Sequence, residues 1–225
     1  MVNKFNILLQ EFRTVFSGRT NTLDAIIPPL LYSFVNSLAG LFPATLAALA
    51  LAAFLTVLRL IQKKSWLYAF SGMVLSLFAA GLAWYTQNAA NFFLPGLLSS
   101  SAFLMAALLS NLVGKPLAAL SSHLTRAWPK EWYWLPNVRP AYTEVTWIWA
   151  GFIATRLFAQ YSLYKQSDIS LLGWANVLLG WPVTIVVLVI SYLYGSWRLT
   201  KLAGPSVEEF SLHQPPPWKS QKQGF

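Results

Sequence analysis

The sequence predicts an all-α membrane protein: a polytopic bundle of six transmembrane helices, led by an amphipathic interfacial helix. Three observations predict it. Of the 225 residues 56% are hydrophobic, and the mean hydropathy is +0.50. Only 10% are charged, where a soluble domain carries about 25%. Six apolar stretches approach the roughly 20 residues a helix needs to cross about 30 Å of hydrocarbon. With 11 Trp, 9 Tyr and 15 Phe, the chain has too little polar surface to coat a soluble globule. This excludes a soluble enzyme and a disordered chain. The absence of cysteine from the sequence excludes disulfides, thiolate zinc sites and cysteine nucleophiles.

In chain order, residues 3–17 come first. Phe5, Leu8, Leu9, Phe12 and Phe16 recur at helical spacing, with Asn3, Lys4, Gln10, Glu11 and Arg13 on much of the other face. This pattern is an amphipathic helix for the membrane interface or for a docking partner, and residues 1–19 form a segment of their own. Ser17-Gly18-Arg19 ends it. The membrane domain follows over 20–200. Its first span runs from about Ala25 to Leu41 and opens on Pro28-Pro29; Gly40-Leu41-Phe42-Pro43 turns the chain into the second, Ala44 to Ile61. The third is Trp66 to Tyr85, the fourth Phe92 to Val113, the fifth Thr143 to Tyr164 and the sixth Leu171 to Tyr194. All are apolar all round, which argues against the alternating strands of a barrel. The first span lacks a small-residue cleavage site and is not read as a removed signal peptide.

Between spans four and five lies the only long internal connection, 115–140. Pro116 onward suits a short interfacial helix to about Trp128, after which Pro129, Pro136 and Pro140 bar regular helix. Trp128, Trp132, Tyr133 and Trp134 are placed to rest on headgroups or to cover the bundle's inner face. The tail, 201–225, carries Pro215-Pro216-Pro217 and is expected to be extended or disordered until it meets a partner.

The charges set the orientation. Of 16 basic residues, fourteen fall on one side of a six-span chain, among them Arg59, Lys115, Arg126, Arg139 and Arg198. The positive-inside rule puts that side, and both termini, in the cytoplasm. The net charge of +9 is then topology and contact with anionic lipids on the cytoplasmic face, with no nucleic-acid partner implied. Trp66, Trp84, Trp147, Trp174 and Trp197 near span ends suit interfacial anchorage.

The two halves share a pattern. Asp24-Ala-Ile-Ile-Pro28-Pro-Leu-Leu opens span one, and Asn91-Phe-Phe-Leu-Pro95-Gly-Leu-Leu opens span four. Arg59 and Arg156 follow in each half, then Gly72 and Gly173. Three spans per half make this a candidate inverted repeat, of the kind that places a transporter site between halves. The candidate intramembrane polar site is therefore Arg156, Asn91, Asp24 and Arg59. A charge at mid-membrane costs about 2.5–3.5 kcal/mol on insertion scales, so Arg156 needs a partner, with Asn91 the candidate, or a route to the outer headgroups. Asp24 caps a helix or pairs with Arg59. Glu144 caps span five. His123 and His213 lie outside the spans, and no catalytic or nucleotide-binding fingerprint occurs, so no metal or cofactor is expected. Asn36, Asn111, Asn176, Gln87 and Gln160 read as polar groups bridging helices, and Ala44–Ala53 as a stretch for close helix packing.

Taken in order, Ser17-Gly18-Arg19, Asp24 with Pro28, Leu58-Arg59-Leu60, Ser71-Gly72, Asn91-Phe92-Phe93-Leu94-Pro95-Gly96, Lys115-Pro116-Leu117 and Trp149 with Arg156 carry a resemblance. The chain resembles an uncharacterised bacterial family of multi-span membrane proteins, a domain of unknown function, and is more distantly similar to the intracellular septation protein A group. The resemblance covers about 17–200, and Asn91 stands where that family commonly has an acidic residue. It implies a bundle in the bacterial inner membrane, or an internal membrane derived from it, and no reaction. The functional expectation is a non-enzymatic accessory or assembly subunit of a membrane complex with a membrane-protein partner. The alternative is a small-solute transporter or channel-like protein.

Overall fold

A computed structural model describes residues 22–63, 65–221 and 225, with side chains from residue 27 onward except that of residue 68. The amphipathic segment 3–17 lies outside the described residues. Among the described residues the regular elements are all helical, with no strand. Three stretches among them are long and apolar enough to cross a membrane: Leu41–Ile61, Ala89–Leu112 and Ile169–Leu202. The chain divides into two compact units, residues 1–93 with 167–177, and residues 94–166 with 178–225.

In the first unit, helix α1 (Thr22–Ala39) holds Pro28 and Pro29 inside it rather than at its start. Each proline lacks an amide donor, so the helical hydrogen bonds to the carbonyls of Asp24 and Ala25 are missing. Gly40, at φ 82°, joins α1 to α2 (Leu41–Ile61); a side chain there is strained by its Cβ. Along α2 the small residues Ala44, Ala48, Ala52 and Thr56 are buried at intervals of four, one helical face. Helix α3 (Trp66–Tyr85) packs along α2. Thr56 Oγ1 donates to Ala52 O (2.7 Å) within its own helix and to Ala69 O (3.3 Å) of α3. The small-residue stretch thus works as expected, by letting backbones approach.

A 3₁₀ turn, Ala89–Phe93, follows. Its two phenylalanines clasp Tyr32 of α1: Phe92 stacks on it at 3.8 Å and 9°, and Phe93 meets it edge-on at 6.0 Å. Tyr32 Oη donates to Ala89 O at 3.0 Å. Helix α8 (Ile169–Leu178) supplies Gly173, which lies so close to Ser33 of α1 that a Cβ would overlap its side chain.

The second unit begins with α4 (Leu94–Leu112), where Pro95 sits in the first turn and forfeits no helical hydrogen bond. The 115–140 connection folds as α5 (Leu117–Arg126) and the single turn α6 (Lys130–Tyr133). Helix α7 (Arg139–Lys165) has 27 residues. It starts at Arg139-Pro140, four residues before the expected span, because proline in the first turn suits a helix start. The expected sixth span is broken. Its first part is α8 and its second is α9 (Trp181–Leu202), with Gly180 and Pro182 at the break. Part of the tail is helical. It forms α10 (Val207–Ser211) with a capping box, Ser206 and Glu209 each accepting from the other's amide.

Candidate functional site

The four polar residues expected to form an intramembrane site fall in both units. Arg59 ends α2, and its guanidinium lies over Gly72 of α3: a Cβ there would be 2.6 Å from Nη1. The absent side chain of Gly72 is what gives Arg59 room. Asp24 is the third residue of α1, and its side chain lies outside the described ones. Asn91 sits in the 3₁₀ turn and donates through Nδ2 to Thr86 Oγ1 (2.7 Å), which itself donates to Leu82 O (2.7 Å). Asn91 therefore braces the end of α3. Arg156 lies on α7 in the second unit, with Nε buried and making no hydrogen bond among the described residues.

Two arrangements in the second unit were not anticipated. Glu144 of α7 was expected to cap its helix; instead it receives Arg198 of α9 in a bidentate pair, Nε to Oε2 at 2.7 Å and Nη2 to Oε1 at 2.8 Å. Tyr194 Oη adds a third donor at 2.7 Å. The sequence held a signal for this pair. Glu144 opens span five and Arg198 closes span six, so the predicted topology puts both at one membrane face.

The second is an aromatic core built from the connection, α7, α9 and the tail. Trp132, Tyr133, Val138, Ala141, Tyr142, Ala119 and Leu199 are buried together. The tryptophans of the connection therefore pack into the unit's own core. Trp132 meets Trp128 edge-on at 5.4 Å and Tyr133 at 5.1 Å. Trp132 Nε1 donates to Pro205 O at 2.9 Å, which ties the connection to the start of the tail. Gly204 fits against Asn137, where a Cβ would be 2.7 Å from Asn137 O. Tyr133 Oη donates to Ser122 Oγ at 3.1 Å, and burial raises its pKa. His123 Nδ1 faces Trp128 O at 2.7 Å, and Arg126 lies over the Trp128 ring at 5.1 Å.

The tail closes this core. Glu209 accepts the amides of Ser206 and Lys219, both at 2.8 Å, and these bonds hold its carboxyl below the usual carboxylate range. Phe225 stacks on Tyr142 at 4.4 Å and 10°, its ring pressed on Gly195 of α9. Arg126 Nε donates to Phe225 O at 3.2 Å. The Ser206-Val-Glu-Glu209 spacing was the available sign that part of the tail is helical. Chemically, these groups hold the chain's own tail in place.

An all-helical arrangement among the described residues, with stretches able to cross a membrane, defines a class, the helical membrane protein. The chain belongs to the family described as Protein of unknown function (DUF3159), whose model matches residues 16–198. That match supports the likeness to an uncharacterised family; the likeness to the septation protein A group rests on the sequence motifs alone. No curated protein and no solved structure matches the chain.

Proposed function

We propose that the chain is a six-span protein of the bacterial inner membrane, with both termini cytoplasmic, acting as a non-enzymatic accessory or assembly subunit of a membrane complex. The observation that carries this reading is how little of its apolar surface the chain covers itself. Of the most apolar window in Ile169–Leu202, 11% is buried, and of that in Ala89–Leu112, 22%. On α9 the exposed residues Val186, Ile190, Leu193 and Trp197 form one stripe, while Val187, Ser191, Gly195 and Leu199 face inward. Such a stripe suits a helix of another subunit or lipid. Extraction in mild detergent, affinity capture and mass spectrometry should recover a stoichiometric membrane partner; recovery of the chain alone overturns the reading. The six-span topology has its own test, helped by the cysteine-free sequence. A membrane-impermeant maleimide should label K165C in intact cells and K115C only after permeabilisation.

One feature favours the second reading, a transporter or channel-like protein. The chain is interrupted between α8 and α9, where Gly180 and Pro182 stand, and discontinuous helices commonly line substrate sites. Solute flux in liposomes that is abolished by R156Q would establish it.

A further inference from the structure

Phe225 occupies a slot with three distinct walls. The Tyr142 ring lies parallel to it at 4.4 Å. Gly195 forms a second wall, where any side chain would overlap the phenyl ring. Arg126 closes the slot with a hydrogen bond to the Phe225 main-chain oxygen, 3.2 Å. An aromatic ring with an accepting carbonyl is therefore recognised by stacking, by a flat backbone surface and by a guanidinium.

Hydrogen bonds to α10 hold the tail ahead of the occupant. Glu209 holds Lys219 N, and Gln221 Oε1 accepts from Val207 N at 3.1 Å. Tyr142 Oη is buried beside Ser122 Oγ, which accepts from Tyr133. The slot residues Arg126, Tyr142 and Gly195 lie within the family match, and Phe225 lies beyond it.

We propose that this slot is a binding site for the aromatic side chain of a peptide segment, and that Phe225 is its resident, exchangeable occupant. The tail then works as a strap that keeps the site filled until a partner segment presenting an aromatic residue displaces it. A tethered occupant holds its site at the high local concentration its linker sets, so a free peptide competes only when the tether is disabled.

The test uses the full chain in detergent and a labelled peptide of residues 219–225. The peptide should bind F225A at least about tenfold more tightly than wild type, since the resident competitor is gone. G195A supplies the converse: its methyl group fills the slot while favouring the helix. It should expose Lys219 to trypsin, as F225A does, yet fail to bind the peptide even when combined with F225A. Equal binding to wild type and F225A overturns the proposal, as does no binding to a folded F225A. If F225A is not monodisperse, F225L keeps apolar bulk without the stack and takes its place. These readouts depend on the slot alone, so they succeed or fail independently of whether the chain joins a larger complex.

Discussion

Replacing Trp132 separates a structural core from a membrane anchor. Trp132 is fully buried, and its indole N–H satisfies the carbonyl of Pro205, itself buried. W132F keeps an aromatic ring but leaves that carbonyl without a donor, at a cost of about 1–3 kcal/mol. W132A also removes the ring from among Trp128, Tyr133 and Tyr142, at a cost of about 3–5 kcal/mol. For a chain of this size each kcal/mol lowers the melting temperature by about 2–4 °C, taking soluble domains as the guide. W132F should therefore melt about 4–8 °C below wild type at the middle of its range, and W132A lower still. Both should speed trypsin cleavage at Lys219, because the bond to Pro205 fixes where the tail begins. The assay is a thermal melt in detergent, run beside a proteolysis time course. A tryptophan that only rests on headgroups has no such role in detergent. Wild-type melting of W132A with an unchanged tail would refute the assignment of Trp132 to a core.

Four further outcomes are expected. Y32F removes the hydrogen bond to Ala89 O and should lower stability by about 0.5–1.5 kcal/mol, read as a melting shift; no shift would mean the 3₁₀ turn is not held through α1. G204A places a Cβ 2.7 Å from Asn137 O, so the backbone must move, at a cost of about 1–3 kcal/mol, and hydrogen exchange should rise in α10. Glu209 has its pKa lowered from the ordinary carboxylate value of 4.5 by amides of Lys219 and Ser206. Its contribution is therefore fully present above pH 4.5 and is lost as the pH falls through the lower folded value. Tail amides should lose exchange protection across that acid window in wild type, whereas E209Q should lack the protection already at neutral pH. R156M removes a guanidinium whose buried Nε has no hydrogen bond among the described residues. Replacing a desolvated charge with an apolar chain of similar length is often neutral or stabilising, so the melting temperature should hold or rise, and a marked fall would place Arg156 in a stabilising network.

The helices were legible because their signal is long and redundant. Apolar runs of about 20 residues survive errors of a few positions, and each of the six expected stretches is mostly helical where described, with a break at residues 179–180 in the last. The failures came from residues whose meaning depends on position within a turn. Pro140 was read as a helix breaker and proved a helix starter; Pro28 and Pro29 were read as a start and lie inside α1. A proline marks a boundary without saying on which side the helix lies. Gly180 and Pro182 broke the expected sixth span, and in an apolar run both had been absorbed into the pattern. The aromatic core was only half legible. Tryptophan is equally at home on a headgroup and in a core, and only the tertiary partners of Trp132 decide between them. The proline-rich composition of the tail outweighed the four-residue capping signal at Ser206–Glu209, although that signal is local and physical.

The charge map gains a second meaning from these contacts. Basic residues crowded on one predicted face are ordinarily explained by insertion alone. Here Arg198 is committed to Glu144, Arg126 to the Trp128 ring and the Phe225 oxygen, and Lys201 to the Trp197 ring at 5.1 Å. Arg126 and Arg198 serve the second unit's core and helix pairing, so their positions are fixed by packing as well as by topology, whereas Lys201 lies over an exposed ring of its own helix. Lys115, Lys130 and Arg139 are exposed, and on the proposed topology they are the ones left to meet anionic headgroups, at about 1 kcal/mol each. The same asymmetry thus divides into cations that fold the protein and cations that hold it against the membrane, and only the first group bears on the slot that Phe225 fills.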